Sequence, residues 1–296
     1  MLRFRVAMIY PTTLPIAAAL IAMAFASITS ALAAETAPIR FGILSTAQPA
    51  RIHEQWGPFV AYISERVGQP IEIVIPRGFE KMKEAAINGE VDVFYVNSHV
   101  YYRLRQAGAA QALTQMQNIA GKTTSRSEFF VRGDSGIDGL AQLRGKNVVM
   151  VSPMGAGGYL APRAFLYKNG ITTQDVTESF SKNLSSSLHQ VLTKEAPVGV
   201  MCGVNYRLLQ EKLDTRELKI IAVTDDYAED VIAIRAGFDE GMGKRLRDTV
   251  LEMSENDVGR SVLSGMHELK IQQFLPYDSA AEAITRKLLA EAQLEP

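Results

Sequence analysis

The chain has 296 residues, of which 47% are hydrophobic, 21% charged and 8% aromatic, and its formal net charge is -1. This is globular composition with length for one large or two medium domains, and it excludes a disordered, collagen-like or disulfide-built protein. The balanced charge lacks the footprint of a nucleic-acid binder, and a single cysteine, Cys202, allows neither an internal disulfide nor a cysteine-based zinc cluster.

Residues 1–33 have the layout of a secretory signal peptide. Arg3 and Arg5 form a basic start, Leu14–Ala26 is an apolar stretch of 13 residues, and Ala31-Leu32-Ala33 places small residues at a cleavage site. The apolar stretch is shorter than the roughly 20 residues needed to span a bilayer. Cleavage near Ala33 is expected to leave a soluble, periplasmic protein that draws its stability from its core.

After the cleavage site, apolar runs alternate with helical spacing. Residues 39–44, 71–75 and 91–96 read as buried strands, separated by amphipathic stretches at 56–67 and 79–88. The alternation repeats with strands at 129–131, 148–151 and 198–201 and helices at 159–169, 187–194 and 206–213. Further strands follow at 218–223 and 231–234, and helices at 243–253 and 280–292. Repeated βαβ units predict an α/β fold with mostly parallel sheets. Two polar breaks, 121–127 and 224–230, predict two lobes: residues 34–128 with 225–296 as the first, and 129–224 inserted as the second. A cleft between such lobes is the expected ligand site. A single doubly wound domain with a helical tail is the alternative. The acidic residues of the second break, Asp225, Asp226, Glu229 and Asp230, read as a solvated hinge surface.

The segments Phe41–Thr46, Trp56-Gly57-Pro58-Phe59 and Gly89-Glu90-Val91-Asp92-Val93 resemble the periplasmic phosphate/phosphite/phosphonate-binding protein family. So does the strand at Val149 running through Ser152–Pro162 into a helix that ends at Lys168-Asn169-Gly170-Ile171. The resemblance extends from about Ile39 to Leu275. It implies a type II-like periplasmic binding fold, two α/β lobes hinged around an interlobe ligand, that serves an ATP-driven importer.

The turn at Ser152–Gly158 has a rationale of its own. A strand, a glycine-rich turn and a helix start present free N–H groups at the positive end of a helix dipole, a cradle for an anion. Met154, Gly155, Ala156, Gly157, Gly158 and Tyr159 are therefore candidate contacts. The resemblance implies hydroxyl donors at this turn, but Gly155, Ala156 and Gly157 occupy those places. Ser185, Ser186 and Ser187 precede a second helix; one reads as its N-cap and the others as anion donors, with His189 on the helix itself. Tyr95, Asn97 and Ser98 follow a strand at its C-terminal end, and Thr46 and Gln48 follow the first strand, where α/β folds place their ligands. The resemblance also implies a carboxylate for a ligand amine in a Val-Asp-Val strand, which here reads Val198-Gly199-Val200. Cys202 lies just beyond it, read either as an inert buried thiol or, with Met154 or Met201, as a soft-ligand contact for a thiophilic metal or metalloid.

No nucleophile elbow, zinc-protease helix or phosphate loop occurs, and the four histidines lack metal-ligand spacing. The expectation is therefore a binding protein, not an enzyme, without cofactor or bound metal. It takes a small anionic ligand, has no nucleic-acid partner, and works as a monomer with the membrane permease of an ABC importer. The alternative is a sensor that presents an oxyanion, or a thiophilic species such as arsenite, to a membrane sensor kinase.

Overall fold

Apolar runs too short for helices pair into two sheets in a computed structural model, which describes residues 37–44 and 49–294. The segment read as a signal peptide lies outside the described residues, as do Thr46 and Gln48. The chain begins with β1 (Ile39–Ile43), α1 (Pro49–Val67), β2 (Ile71–Val74), α2 (Phe79–Ile87), β3 (Val93–Val96), α3 (Ser98–Gln106) and β4 (Ala110–Asn118). It crosses through β5 (Thr124–Ser125) to β6 (Ser127–Arg132), β7 (Asn147–Met150), α4 (Ala161–Lys168), β8 (Thr177–Phe180), α5 (Leu184–Leu192), β9 (Val198–Cys202), α6 (Gly203–Gln210) and β10 (Leu218–Val223). It returns through β11 (Tyr227–Ala228) to β12 (Val231–Arg235), α7 (Glu240–Leu251), α8 (Asp257–Gly265), β13 (Ile271–Pro276) and α9 (Ala280–Glu291).

The first sheet has the order β13-β4-β12-β3-β1-β2 and the second β10-β6-β9-β7-β8. Neither is mostly parallel, in contrast to the sequence expectation. Each holds a parallel trio, β2-β1-β3 or β8-β7-β9, extended by antiparallel strands. β12 and β13 in the first sheet and β6 in the second run against the βαβ strands, whereas β4 and β10 run with them but pair only with those reversed strands. Asp92 locks three strands of the first sheet together, with Arg40 Nε at 2.9 Å and Arg235 Nε at 3.0 Å. Burial opposes its ionisation, but the two guanidinium groups outweigh burial and hold its carboxyl below the usual range.

The two crossings are hydrogen-bonded to each other: β5 pairs antiparallel with β11, Tyr227 opposite Ser125 and Ala228 opposite Thr124. Ser127 and Thr224 add a bond from the Ser127 N–H to the Thr224 hydroxyl at 2.9 Å. Behind them α9 buries Leu288, Leu289 and Ala292 against Tyr102 of α3 and Ala161 and Ala164 of α4, so it packs on helices of both sheets.

His99 on α3 is 1% exposed, and neither ring nitrogen has a hydrogen-bond partner. Burial, aided by Arg103, lowers its pKa from 6.5 to about 4, so it is neutral in the fold while the unfolded chain binds a proton below pH 6.5. Its contribution is intact above pH 6.5 and is lost as the pH falls from 6.5 to about 4, a span worth about 3 kcal/mol. Urea midpoints measured across that range are expected to fall in the wild type and to fall less in His99→Phe. Equal slopes in the two proteins would remove His99 as the cause.

Candidate ligand-binding cleft

Two cavities meet between the sheets, of about 130 and 230 Å³. Asn97, Leu184, Asn205, Asp230 and Lys270 line both, so they are two arms of one cleft. The topology gathers these residues. Asn97 follows β3, the glycine-rich turn follows β7 and Asn205 follows β9. Asp230 and Lys270 precede β12 and β13, which run in the opposite direction and therefore start where the parallel strands end.

The smaller arm is floored by Ser152, Gly155, Ala156, Gly157 and Gly158. The chain enters α4 through one π-turn, Ala156–Leu160, with the Leu160 N–H donating to Gly155 O at 3.0 Å. Such turns recur at functional sites. Gly155 uses its own N–H on Ser152 O at 2.9 Å. The N–H groups of Ala156, Gly157 and Gly158 are then the ones that a helix start leaves without intrahelical partners. The turn is clamped from behind. The Ser127 hydroxyl donates to Gly157 O at 2.6 Å, and a Cβ on Gly157 would lie 2.3 Å from the Tyr227 hydroxyl oxygen. Glycine is the only residue that lets the Tyr227 ring approach so closely.

The larger arm is aromatic. Trp56 and Tyr95 line it with their rings 4.7 Å apart, and Ile43, Leu44 and Val96 complete the wall. The Tyr95 hydroxyl donates to Met116 Sδ at 3.0 Å. Burial, with Asp230 and Glu229 nearby, raises the Tyr95 pKa well above the phenolic range, so it stays a hydroxyl. Asn97 caps α3: its Oδ1 accepts from the N–H groups of His99 (3.0 Å) and Val100 (3.1 Å), leaving its NH₂ as the donor for the cleft.

The charged groups are the ones that sequence reasoning missed. Glu229 is fully buried, 2.5 Å from Lys270 Nζ, and also accepts from Asn118 Nδ2 at 2.9 Å and from the Ser125 hydroxyl. Burial disfavours the Lys270 ammonium, but Glu229 and Asp230 outweigh it and raise its pKa, so it is charged. The Asp230 carboxyl is raised by burial and by Glu229, with Lys270 opposing. The reading of 225–230 as a solvated surface is therefore corrected for Glu229 and Asp230. The missed signal was their position, immediately before the apolar run Val231–Ile234. Nothing in the sequence marks Lys270 or Asn205.

Several expected contacts lie elsewhere. The N-cap of α5 is Asn183, which accepts from the Ser186 N–H at 2.8 Å, and Leu184 is the residue of that helix start in the cleft. Ser185, Ser186 and Ser187 are not among the lining residues; Ser185 is exposed and Ser187 fully buried. Beginning the helix at Leu184 turns the following residues away from the cleft at about 100° each. Ser98 is buried and its hydroxyl donates to Ala228 O at 2.7 Å, tying α3 to the second crossing. Tyr159 points into the core of the second sheet, with its hydroxyl accepting from Arg163 Nη1 at 3.0 Å. Met154 packs against the buried cluster beside the first sheet, spanning the two sheets rather than lining an arm.

Cys202 is buried and lines the smaller arm, in one packed cluster with Tyr227. Met201 faces the opposite side of β9, in the cluster with Phe130 and Tyr206, so the strand does not pair the two sulfurs. Among the described residues no group of three or more His, Cys, Asp or Glu could hold a metal ion. A Cβ on Gly199 would lie 2.4 Å from the Phe130 ring and 3.0 Å from Val191, so this position is packed and has no room for the carboxylate that the sequence lacks here.

Residues 41–281 match the family described as the ABC transporter, phosphonate, periplasmic substrate-binding protein. The phosphonates-binding periplasmic protein of Escherichia coli K12 is 21% identical over 234 residues, which is 76% of this chain and 69% of that protein. The fold is similar to a binding-protein component of an ABC phosphonate transporter from Pseudomonas aeruginosa, with a TM-score of 0.73 at 20% identity over 86% of this chain and 87% of the other. A Prochlorococcus marinus protein in complex with methylphosphonate gives a TM-score of 0.72 at 12% identity over 86% of this chain and 98% of that one. Among the described residues no helix is long and apolar enough to cross a membrane.

Proposed function

Because the chain belongs to the phosphonate family of periplasmic ABC transporter substrate-binding proteins, we propose that it binds a small phosphorus oxyanion in its cleft and delivers it to a membrane permease. The observation that carries this reading is the clamped glycine-rich turn, whose residues line a cavity of about 130 Å³. That is close to the roughly 150 Å³ that admits one benzene molecule, so the arm suits a compact head group. The aromatic arm beside it takes an uncharged substituent on the same ligand, against Trp56 and Tyr95. The lobes meet at the two crossings, near residues 128 and 225, and a ligand that touches the glycine turn on one side and Asn97 on the other stabilises the closed arrangement. The chemistry is reversible binding, and Cys202 serves as a packed wall residue.

Thermal unfolding of the chain from Ala34 onward, with methylphosphonate, phosphite or phosphate added, tests the reading. A ligand at 100 times its Kd is expected to add about 2.7 kcal/mol of stability. If none of the three shifts the melting temperature while a thiophilic ion such as arsenite does, the oxyanion reading is wrong.

A further inference from the structure

The two arms of the cleft differ in chemistry once the residues they share are set apart. Asn97, Asn205, Asp230 and Lys270 line both arms and so stand at their junction. Beyond it, the described residues that line the larger arm alone are Ile43, Leu44, Trp56, Tyr95, Val96 and Leu269, with Glu268 as the one charged group. Glu268 is held by Lys212 Nζ at 2.9 Å and Arg51 Nη2 at 2.6 Å, so its charge is already met. The aromatic wall is braced from behind. The Trp56 ring lies 4.7 Å from Tyr95 and meets Phe59 edge-on at 5.4 Å, while Phe274 lies 5.5 Å from Phe59 and 6.4 Å from Tyr95. Side chains fixed in this way lose little freedom when a ligand arrives. The larger arm measures about 230 Å³. That exceeds the roughly 150 Å³ that admits a benzene molecule. Phosphite or phosphate seated on the glycine turn would leave this apolar volume to water.

We propose that the ligand is an organic phosphonate carrying an apolar ring, with its head group on the glycine turn and its ring in the arm of Trp56 and Tyr95. This rests on the oxyanion reading above and names the ligand's organic part. The oxygens of the head group stay at the polar junction, where the Asn97 NH₂ and Lys270 stand. A ring suits the arm better than a flexible chain, because it has less rotamer freedom to lose on burial. It also gains offset or edge contacts against Trp56 and Tyr95. A cationic substituent suits the arm less. It shares the junction with Lys270 and finds Glu268 already paired, which leaves Asp230 alone to receive it. Each buried carbon is worth about fourfold in affinity, and phenyl brings five more carbons than methyl, so a gain of about 30-fold needs only about half of them buried.

Calorimetric titration of the chain from Ala34 onward at neutral pH, with phenylphosphonate, methylphosphonate, phosphite and 2-aminoethylphosphonate, tests this preference. Phenylphosphonate is expected to bind about 30-fold more tightly than methylphosphonate or phosphite. In Leu269→Trp, whose larger side chain fills the arm, that ratio is expected to fall below about tenfold. A wild-type ratio below about tenfold, with methylphosphonate or phosphite still bound, overturns the proposal and leaves the oxyanion reading standing. So does a ratio that stays above about tenfold in a folded Leu269→Trp, since the ring would then lie elsewhere. Tighter binding of 2-aminoethylphosphonate than of phenylphosphonate overturns it as well, because the arm would then be reading a cation. Binding of none of the four overturns both readings. If Leu269→Trp does not fold, the wild-type ratio alone decides: at about tenfold or above it supports the proposal, and below that it overturns it.

Discussion

Lys270→Met is expected to destabilise the protein by about 3–5 kcal/mol, because it leaves the Glu229 carboxylate buried without a counter-charge. Glu229 has no exposure to water, and its remaining partners, Asn118 and the Ser125 hydroxyl, are neutral. The cost is that of a stranded charge, not the net worth of the pair, so removing both charges tells the two apart. Lys270→Met with Glu229→Gln is expected to recover most of the loss, since an amide can keep the bonds from Ser125 and Asn118. Urea unfolding of the single and double variants measures this. A Lys270→Met protein within about 1 kcal/mol of the wild type would mean that water reaches the pair.

Gly157→Ala is expected to abolish oxyanion binding and to cost about 1–3 kcal/mol of stability through overpacking. The new methyl would lie 2.3 Å from the Tyr227 hydroxyl oxygen and 2.4 Å from Cζ. Tyr227 is 2% exposed, so its ring has nowhere to swing, and the Gly157 carbonyl is held by Ser127. The turn itself must move, and the N–H groups move with it. Tyr227→Phe keeps the ring carbon in the clash and does not rescue the variant, whereas Tyr227→Leu removes it and restores part of the stability. Phosphonate titrations on the folded variants check this. Wild-type affinity in Gly157→Ala would show that the turn is not where the anion sits.

The strands that are plain in the sequence are continuous apolar runs such as Val148–Met150 and Val231–Ile234, where composition and burial agree. β4 and β13 are not, because Thr114 and Gln115 are buried in one and paired glutamines interrupt the other. The glycine turn is legible because its chemistry is local: strand, glycines, helix start. Tyr159, within the π-turn Ala156–Leu160, turns into the core of the second sheet and not toward the cleft. The serines mislead because Asn183, an equally good cap, stands just ahead of them. Asp230 and Lys270 are 40 positions apart, and only the pairing of β4 with both β12 and β13 makes them neighbours. Charge placed by topology leaves no mark in a local pattern.

The interruption of the first sheet also sets an order of assembly. Its strand β12 sits between β3 and β4, yet it follows them by more than a hundred positions, whereas every strand of the second sheet lies within residues 127–223. As the chain is made, the second sheet has all its strands before the first has its centre. Until β12 arrives, β3 and β4 both present an open edge, the state in which sheet proteins pair wrongly with one another. Closure of the first sheet is a long-range event with a high entropic cost, the kind of pairing that slows folding. A chain cut short before Val231 would hold a finished second sheet beside the bare edge of β3 and a β4 unpaired on both sides, prone to aggregation whatever ligand is present.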